Sequence, residues 1–374
     1  MSLYYNKNIN VLDYITSDGD FDIPLEVITS TDTFKLANAM RWAIASGKIR
    51  FPYRKYFIRN LEELMKNRAQ TSIEEYPYIK DVPKWIKHCD YLYEGKELAC
   101  VYQKGDYRAV NQIPDLFTEE ARMSARINGY SSPIKGWVDK RNEIVDFAIN
   151  RSILHSRPID ISLFSECVFS AGIKCCTHYK VGSACAFYEF FDAKIVYCPC
   201  FGWGCRAIGA IMSKCTKLCY GCDPNPALVD GYEKMTALGK EMDTDIIFKM
   251  TPMEAFPLEQ YPRPELIFTS PPFGSYEIYS DHLEQSIITH PTHEEWLNDW
   301  LIPQTIRSLK HLKVGGHLIY YIANMNKIDI ITPLIEALNK PGIHFCGGIP
   351  SICGYAYRHP INHFVFRKTA EIQC

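Results

Sequence analysis

The second half of the chain predicts an α/β fold with an open, mostly parallel sheet and helices on both faces. Short apolar runs typical of strands alternate with helical patterns from about Lys194 to about Asp329. Three turns, rich in glycine, carboxylate or proline, follow three of these strands. Because ligands of open α/β sheets lie in the crevice at the carboxyl ends of the strands, the sequence predicts one ligand site built from these turns.

The first turn follows a strand predicted at Ile195–Tyr197 and contains Gly202 and Gly204. The residues after it have helical spacing, with Ile208 and Ile211 directed toward the sheet. Glycine between a first strand and its helix allows the backbone to approach a ligand closely. We therefore expect this turn to contact the ligand.

The second turn begins where the strand predicted at Leu218–Cys222 ends, and its first residue is Asp223. A carboxylate in this position can accept hydrogen bonds from both ribose hydroxyls of a nucleoside. The alternative role for Asp223 is to cap the helix predicted over residues 227–238.

The third turn reads Thr-Ser-Pro-Pro-Phe and follows the apolar run Leu266–Phe268. Its two prolines remove two backbone donors and leave bare carbonyl oxygens. Ser270 adds a hydroxyl group and Phe273 adds a flat face for stacking. These groups suit the exocyclic amino group of a flipped-out base, and a proline-rich turn without a ligand is the alternative interpretation.

Together these motifs resemble those of the S-adenosylmethionine-dependent amino-methyltransferases, in which Asp, Asn or Ser precedes Pro-Pro and an aromatic residue. The resemblance covers roughly residues 175–370. It implies a Rossmann-like methyltransferase sheet and S-adenosyl-L-methionine as the cofactor. The catalytic residues that it implies are Ser270, Pro271, Pro272 and Phe273. The cofactor-binding residues that it implies are Cys198, Pro199, Phe201, Gly202, Gly204, Asp223, Met253, Glu254 and Lys180.

The cofactor turn departs from the usual Asp-Pro-Phe-x-Gly-x-Gly pattern of this family. Cys198 stands where the acidic residue is usual, and Phe201 comes one place later than the usual phenylalanine. Upstream, Lys180 is followed by Val181, whereas many members have Lys-Pro. The absence of the acid at Cys198 leaves open a non-catalytic methyltransferase fold that binds nucleic acid or a catalytic partner.

Ser before Pro-Pro is commoner among cytosine-N4 enzymes, so the resemblance favours methylation of DNA at cytosine N4. DNA adenine N6 and RNA amino groups are the alternatives, followed by a small-molecule or protein-glutamine substrate. The string Phe-Gly-Trp-Gly-x-Arg with Asp-Pro-Asn-Pro also resembles phage and viral methyltransferase-like proteins. The implied partners are DNA or RNA, with a nuclease of a restriction–modification pair as a further partner.

A length of 374 residues suits two domains. We expect a mainly helical region over residues 1–165 that recognises nucleic acid, and a catalytic domain over residues 166–374. In the first region, basic residues between positions 48 and 68 alternate with aromatic ones, so they could pair with phosphates while the rings stack on bases. A solvated helix face with buried rings is the alternative. The nucleic-acid candidates are Arg50, Arg54, Lys55 and Arg59, together with Arg122 and Arg126, which are spaced as a helical clamp.

Composition and charge limit which other classes of function fit the chain. The formal net charge is −2, so attraction to nucleic acid has to come from a local patch. No apolar run of about 18 residues and no secretory signal pattern is present, and the 15 cysteines then indicate reduced thiols in a cytoplasmic protein. Cys215, Cys219 and Cys222 have the spacing of an iron–sulfur site, but two of them fall on a predicted strand, so we expect no metal.

Overall fold

The computed structural model describes residues 10–17, 19–56, 58, 60–66, 71–75, 93–96, 98–102, 110–272, 274, 276–324, 328–352 and 362–372. Its strands are β1 (Asp22–Ile23), β2 (Thr71–Glu75), β3 (Leu98–Tyr102), β4 (Arg126–Ile127), β5 (Ile159–Asp160), β6 (Ile195–Cys198), β7 (Leu218–Asp223), β8 (Asp245–Met250), β9 (Leu266–Thr269), β10 (Glu277–Ile278), β11 (His317–Tyr321), β12 (Ile343–Ile352) and β13 (Asn362–Lys368). Its α-helices are α1 (Leu25–Ser30), α2 (Thr33–Ala45), α3 (Leu61–Lys66), α4 (Asp115–Ser124), α5 (Pro133–Asp139), α6 (Arg141–His155), α7 (Ile161–Ser170), α8 (Val181–Phe190), α9 (Cys205–Met212), α10 (Val229–Glu241), α11 (Ser286–Thr289), α12 (His293–Glu295), α13 (Ile302–His311) and α14 (Ile331–Leu338).

The chain divides into two compact units. The helical unit consists of Met1–Arg59, Glu119–Thr177 and Glu277–Tyr279. The sheet unit consists of Asn60–Thr118, His178–Tyr276 and Ser280–Cys374. The division into domains at residue 165 stays a prediction.

The helical unit is built around the apolar faces of its helices. Helix α2 begins at the cap Asp32, whose side chain accepts a hydrogen bond from the backbone N–H of Lys35 at 2.9 Å. The buried face of α2 joins a core with residues of α6 and α7. Phe34, near the start of α2, does not belong to this face, since its side chain is 72% exposed. A helix advances about 100° per residue, which places Phe34 outside the buried stripe.

Two short antiparallel ladders complete the helical unit. Strand β1 pairs with β5, and β4 pairs with β10. Strand β10 comes shortly after the Ser-Pro-Pro turn, in the segment from Gly274 to His293, so part of that segment forms a ladder of the helical unit.

The sheet unit contains a nine-stranded sheet in the order β2-β3-β12-β13-β11-β9-β6-β7-β8. Strands β6, β7, β8, β9 and β11 are parallel, and β13 is antiparallel to its neighbours β11 and β12. If the seven strands of this sheet from β6 onward are numbered 1 to 7 in chain order, their order across the sheet is 3-2-1-4-5-7-6. Helix α8 packs against one face and α13 and α14 against the other. The predicted Rossmann-like methyltransferase sheet with helices on both faces is confirmed.

The sheet is wider than the sequence predicts, because β2 and β3 extend it beyond β12. Both strands come from residues before position 165.

A helix begins at His293, where Thr292 and Glu295 form a capping box. It continues through the wider turns of a π-helix over Trp296–Leu301 and then as α13. Pro303 lies just after the widened segment. Since proline has no N–H group and its ring crowds the preceding turn, we attribute the widening to it.

Candidate cofactor and catalytic site

The predicted turns lie at one edge of the sheet because their strands are adjacent, parallel and in register. Cys198 of β6 pairs with Gly221 of β7, so the next residues of both strands emerge together. On the other side, Tyr197 of β6 pairs with Ile267 of β9. The glycine turn therefore lies between Asp223 and the Ser-Pro-Pro turn.

The glycine turn is held against β7. Gly202 and Gly204 have φ values of +59° and +88°, which glycine adopts without strain. The N–H of Phe201 donates to the Cys222 carbonyl at 2.9 Å, and the Tyr232 hydroxyl donates to the Gly202 carbonyl at 3.1 Å. Phe201 itself is buried, so its side chain serves the core.

Asp223 joins two turns. One carboxyl oxygen accepts from the Gly202 N–H and the other from the Asn225 N–H, both at 3.0 Å. Burial raises the pKa of this carboxyl to about 6, although both hydrogen bonds and the charge of Arg206 act in the opposite direction. The predicted alternative role as a helix cap falls instead to Asn225, which accepts from the N–H of Ala227. Each carboxyl oxygen retains a lone pair that can accept from a ribose hydroxyl.

Cys198, in the place of the usual acid, is fully buried beneath α8. Its sulfur lies 3.8 Å from the Tyr188 hydroxyl and 3.9 Å from the Cys219 sulfur. The Cys222 thiol instead donates to the Pro199 carbonyl at 3.1 Å. Cys219 and Cys222 thus lie in different surroundings, and no metal-binding group of three or more His, Cys, Asp or Glu side chains occurs among the residues that the structure describes.

Arg206 is a buried cation beside the glycine turn, and sequence reasoning missed it. It lies on the first turn of α9 and is 4% exposed. One Nη donates to the Cys200 carbonyl, and the guanidinium lies 5.9 Å from the centre of the Tyr179 ring. Its Nε is buried without a hydrogen-bond partner in the described part of the chain. The signal available from the sequence was an arginine inside an otherwise apolar helix.

The Ser-Pro-Pro turn begins beyond Thr269, which is buried at the end of β9. Pro271 is buried, whereas Ser270 and Pro272 are partly exposed at the sheet edge. Phe273, the fourth predicted catalytic residue, lies outside the described residues.

Cys200 is the thiol of the glycine turn. Burial raises the pKa of this thiol to about 12, and the neighbouring Asp223 charge acts in the same direction. Such a thiol stays protonated near neutral pH, and a protonated thiol is a poor nucleophile.

Met253 and Glu254 lie in the turn after β8. Met253 is buried, and the Glu254 carboxylate accepts from the Trp300 indole N–H at 2.9 Å. Arg307 donates to the carbonyls of Met253 and Glu254, each at 3.1 Å. These bonds fix the turn and commit one Glu254 oxygen to the protein.

The segment before α8 carries an ordered chain of polar side chains. The Tyr179 hydroxyl donates to His363 Nε2 at 2.7 Å, and His363 Nδ1 donates to the Ile349 carbonyl at 3.1 Å. Burial lowers the pKa of His363 to about 3, which keeps the ring neutral. Because the Ile349 carbonyl can only accept, the proton of the neutral ring lies on Nδ1. The predicted cofactor residue Lys180 follows directly and is partly exposed at the start of α8.

A further contact with the glycine turn comes from a residue that lies far from it in the sequence. The Thr118 hydroxyl donates to the Trp203 carbonyl at 2.8 Å. Thr118 lies within the first turn of α4, which begins three residues earlier, at Asp115. The nearby His178 Nε2 lies 3.0 Å from the buried Asp115 carboxylate. No local pattern relates residues 85 positions apart, so only the fold reveals this contact.

The basic candidates of the helical unit contact partners within that unit. Arg50 pairs with Asp20 at 3.2 Å and Lys55 pairs with Glu120. The Arg54 guanidinium lies 5.0 Å from the centre of a phenylalanine ring. Two of the four candidate cations in this segment, Arg50 and Lys55, are therefore paired with carboxylates, which favours the structural alternative for these two.

The predicted clamp of Arg122 and Arg126 is wrong. Helix α4 ends at Ser124, so the two arginines do not share a helical face. Arg122 is buried and donates to the Cys176 carbonyl at 3.2 Å. The remaining candidate, Arg59, lies outside the described residues.

The described helices include none with the length and apolar content needed to span a membrane.

The sequence matches no protein-family model and no curated protein. Comparison with solved structures finds a match to an rRNA methylase from Streptococcus thermophilus, with 15% identity and a TM-score of 0.33 over 52% of this chain and 99% of that chain. A methyltransferase from Pyrococcus furiosus has 10% identity and a TM-score of 0.35 over 51% and 83% of the two chains. An O-methyltransferase from Bacillus cereus in complex with SAH has 11% identity and a TM-score of 0.32 over 50% and 78%. Each likeness concerns about half of this chain.

Proposed function

We propose that the chain is an S-adenosylmethionine-dependent methyltransferase that acts on an exocyclic amino nitrogen of a nucleic-acid base, with DNA cytosine N4 as the favoured target. The observation that carries the proposal is the convergence of three turns at one sheet edge. The glycine turn, Asp223 and the Ser-Pro-Pro turn follow adjacent parallel strands in register. This is the place where open α/β sheets bind nucleoside ligands.

The residues present fit the proposed cofactor. A Cβ atom added to Gly202 would meet nothing nearer than an Arg206 Nη at 3.9 Å, so the turn is open enough for a ligand to approach its backbone. Asp223 would accept hydrogen bonds from a ribose diol, and its ionised form is the better acceptor. When bound, S-adenosylmethionine supplies an electrophilic methyl group on a sulfonium.

The protein's part in the reaction is to hold the amino nitrogen. The Ser270 hydroxyl and the Pro271 carbonyl would accept hydrogen bonds from the exocyclic amino group. These bonds favour an sp³-like nitrogen, whose lone pair is then available for attack. Phe273 would stack on the base, and in-line placement would supply much of the rate.

Titration calorimetry tests the cofactor site. We expect S-adenosylmethionine to bind wild type with micromolar affinity and Ser270→Ala with the same affinity. Asp223→Ala should weaken binding by about 10-fold or more, since it removes a charged acceptor. Loss of affinity in Ser270→Ala, or none in Asp223→Ala, would contradict these roles.

Methyl transfer to mixed-sequence DNA, followed by mass spectrometry of the nucleosides, tests the substrate. N4-methylcytosine is the expected product of wild type. Ser270→Ala should lower kcat by roughly 100-fold without changing cofactor affinity, because its hydroxyl contacts the reacting nitrogen. N6-methyladenine, or methylation of RNA in place of DNA, would support the alternative targets.

Cys198 favours a second candidate, a methyltransferase fold that binds nucleic acid without catalysis. The usual acid is absent and the cysteine that replaces it is fully buried. Wild-type protein that binds DNA but neither S-adenosylmethionine nor S-adenosylhomocysteine would decide in favour of this candidate.

A further inference from the structure

We propose that Arg206 binds the α-carboxylate of the methionyl part of the cofactor. The inference rests on the proposed function and assigns a specificity-determining residue within the same site. Arg206 is a buried cation at the sheet edge, and its charge and N–H groups limit which ligand groups it can bind.

The first observation is that, among the described residues, no carboxylate forms an ion pair with the Arg206 side chain. Arg206 is only 4% exposed. In the part of the chain that the structure describes, no acidic side chain forms an ion pair with it. Cys198, where an acid is usual in the resembling family, supplies no carboxylate, although Arg206 lies close enough to lower the pKa of the Cys198 thiol. The charge of Arg206 also lowers the pKa of Asp223, but the two side chains form no ion pair. A buried cation is costly unless it is paired, and a thiol is a weak partner, so Arg206 can still gain from an anion beside the glycine turn.

The second observation is an orphan donor. Arg206 Nε is buried with no hydrogen-bond partner, whereas one Nη is used by the Cys200 carbonyl. The remaining N–H groups of a guanidinium form a fork that matches the two oxygens of a carboxylate. The side chain is thus partly anchored and still able to make a charge-assisted pair.

The third observation is the position of the Arg206 guanidinium relative to the glycine turn and Tyr179. An Nη of Arg206 lies 3.9 Å from where a Gly202 Cβ would stand, and its guanidinium lies 5.9 Å from the Tyr179 ring centre. Tyr179 is held in turn by His363. The guanidinium therefore lies between the glycine turn and the segment before α8, at the edge where Asp223 would hold the ribose.

Ligand chemistry selects the carboxylate. Within S-adenosylmethionine the sulfonium and the α-amino group are cationic, so the α-carboxylate is the one anionic group that Arg206 can pair with. A nucleic-acid phosphate is the other source of negative charge near such a site. The near-complete burial of Arg206 favours a small ligand group over a phosphate on a polynucleotide backbone.

The test compares two ligands that differ in the amino-acid part. Calorimetry would measure S-adenosylhomocysteine and 5′-methylthioadenosine, which lacks the aminocarboxypropyl chain, against wild type and Arg206→Gln. We expect the variant to bind S-adenosylhomocysteine about 10- to 100-fold more weakly and 5′-methylthioadenosine unchanged within about 2-fold. Arg263→Gln is the matched control, since that arginine pairs with Glu371 at the surface, and both ligands should bind it as they bind wild type.

The outcomes separate the two proposals. Equal weakening of both ligands in Arg206→Gln, or no change in either, overturns the role of Arg206 and leaves the proposed cofactor standing. Failure of wild type to bind either ligand overturns the proposed function and this inference with it. A third outcome would assign the site to phosphate instead. In that outcome, millimolar inorganic phosphate competes with S-adenosylhomocysteine for wild type but not for Arg206→Gln, and the variant shows no selective loss of S-adenosylhomocysteine affinity.

A ligand-side comparison keeps the test valid if Arg206→Gln does not fold. Wild type should bind the carboxamide of S-adenosylhomocysteine about 10-fold or more weakly than the acid, because the amide removes the charge that Arg206 would pair with. Equal affinity for acid and amide would overturn the inference without any variant.

Discussion

At the scale of residues, Asp223 joins the structural and chemical parts of the site. Its carboxylate accepts one backbone N–H from the glycine turn and one from its own turn, so it fixes both loops. Burial makes ionisation costly and raises its pKa to about 6. The ionised carboxylate that would bind a ribose is therefore formed only as the pH rises past that value.

Replacing Asp223 changes how stability depends on pH. The folded-state pKa lies above the ordinary value of 3.8, so the folded protein holds this proton more tightly than the unfolded chain does. The resulting stabilisation is fully present below about pH 4 and is lost as the pH rises through about 6. The free energy of unfolding of wild type relative to Asp223→Asn should therefore fall by up to about 3 kcal/mol between pH 4 and pH 7.

Urea unfolding of both proteins at pH 4, 5, 6 and 7 measures this difference. The substitution also weakens one backbone contact, which shifts the two curves by a constant amount at every pH. Curves that stay parallel across this range would show that Asp223 has an ordinary pKa.

At the scale of elements, the site depends on how closely β6 and β7 approach. A Cβ atom on Gly221 would stand 1.9 Å from the Cys198 carbonyl oxygen, a distance at which the strand has to move. Phe201 lies three residues after Cys198, and its N–H donates to the Cys222 carbonyl of the neighbouring strand. The glycine turn therefore depends on a glycine in the neighbouring strand as well as on its own two.

We expect Gly221→Ala to destabilise the protein by roughly 3 kcal/mol or more, since the clash is with backbone and cannot be relieved by a rotamer change. Gly315→Ala is the matched control. Gly315 has a φ value of +86° with nothing within 4 Å of an added Cβ, so only conformational strain of about 1–2 kcal/mol should follow. Equal losses of unfolding free energy in urea would contradict the close approach of the strands.

At the scale of the whole molecule, the sheet unit is assembled from three separate stretches of the chain. Strands β2 and β3 form one edge of the sheet. Thr118 contacts the glycine turn, and a Cβ atom on Gly231 would stand 2.6 Å from the Phe117 carbonyl oxygen, so the residues before 119 pack closely on α10.

A fragment of residues 166–374 should consequently melt at a lower temperature than a fragment of residues 60–374. The shorter fragment lacks β2, β3 and Thr118, so it exposes the edge of β12 and loses packing on α10. We expect a loss of several kcal/mol, or roughly 10 °C in Tm. Equal melting temperatures by circular dichroism would support the predicted domain boundary at residue 165.

Local patterns were sufficient for the parallel core of the sheet. The strands predicted at Ile195, Leu218 and Leu266 all form, because each is a short apolar run that ends at a glycine, aspartate or proline turn. The same reasoning failed for Arg122 and Arg126. It assumed that the helical pattern runs to Arg126, whereas α4 ends at Ser124.

The sequence by itself determined the α/β class, the order of the three turns and the residue types at the strand ends. These depend on interactions between near neighbours, such as the periodicity of apolar residues and the freedom of glycine. Only the tertiary structure decided that β2 and β3 join the sheet, that Thr118 contacts Trp203 and that Arg206 is buried beside the glycine turn. Such contacts arise between residues far apart in the chain, and the packing that selects them leaves no periodic signal in either segment.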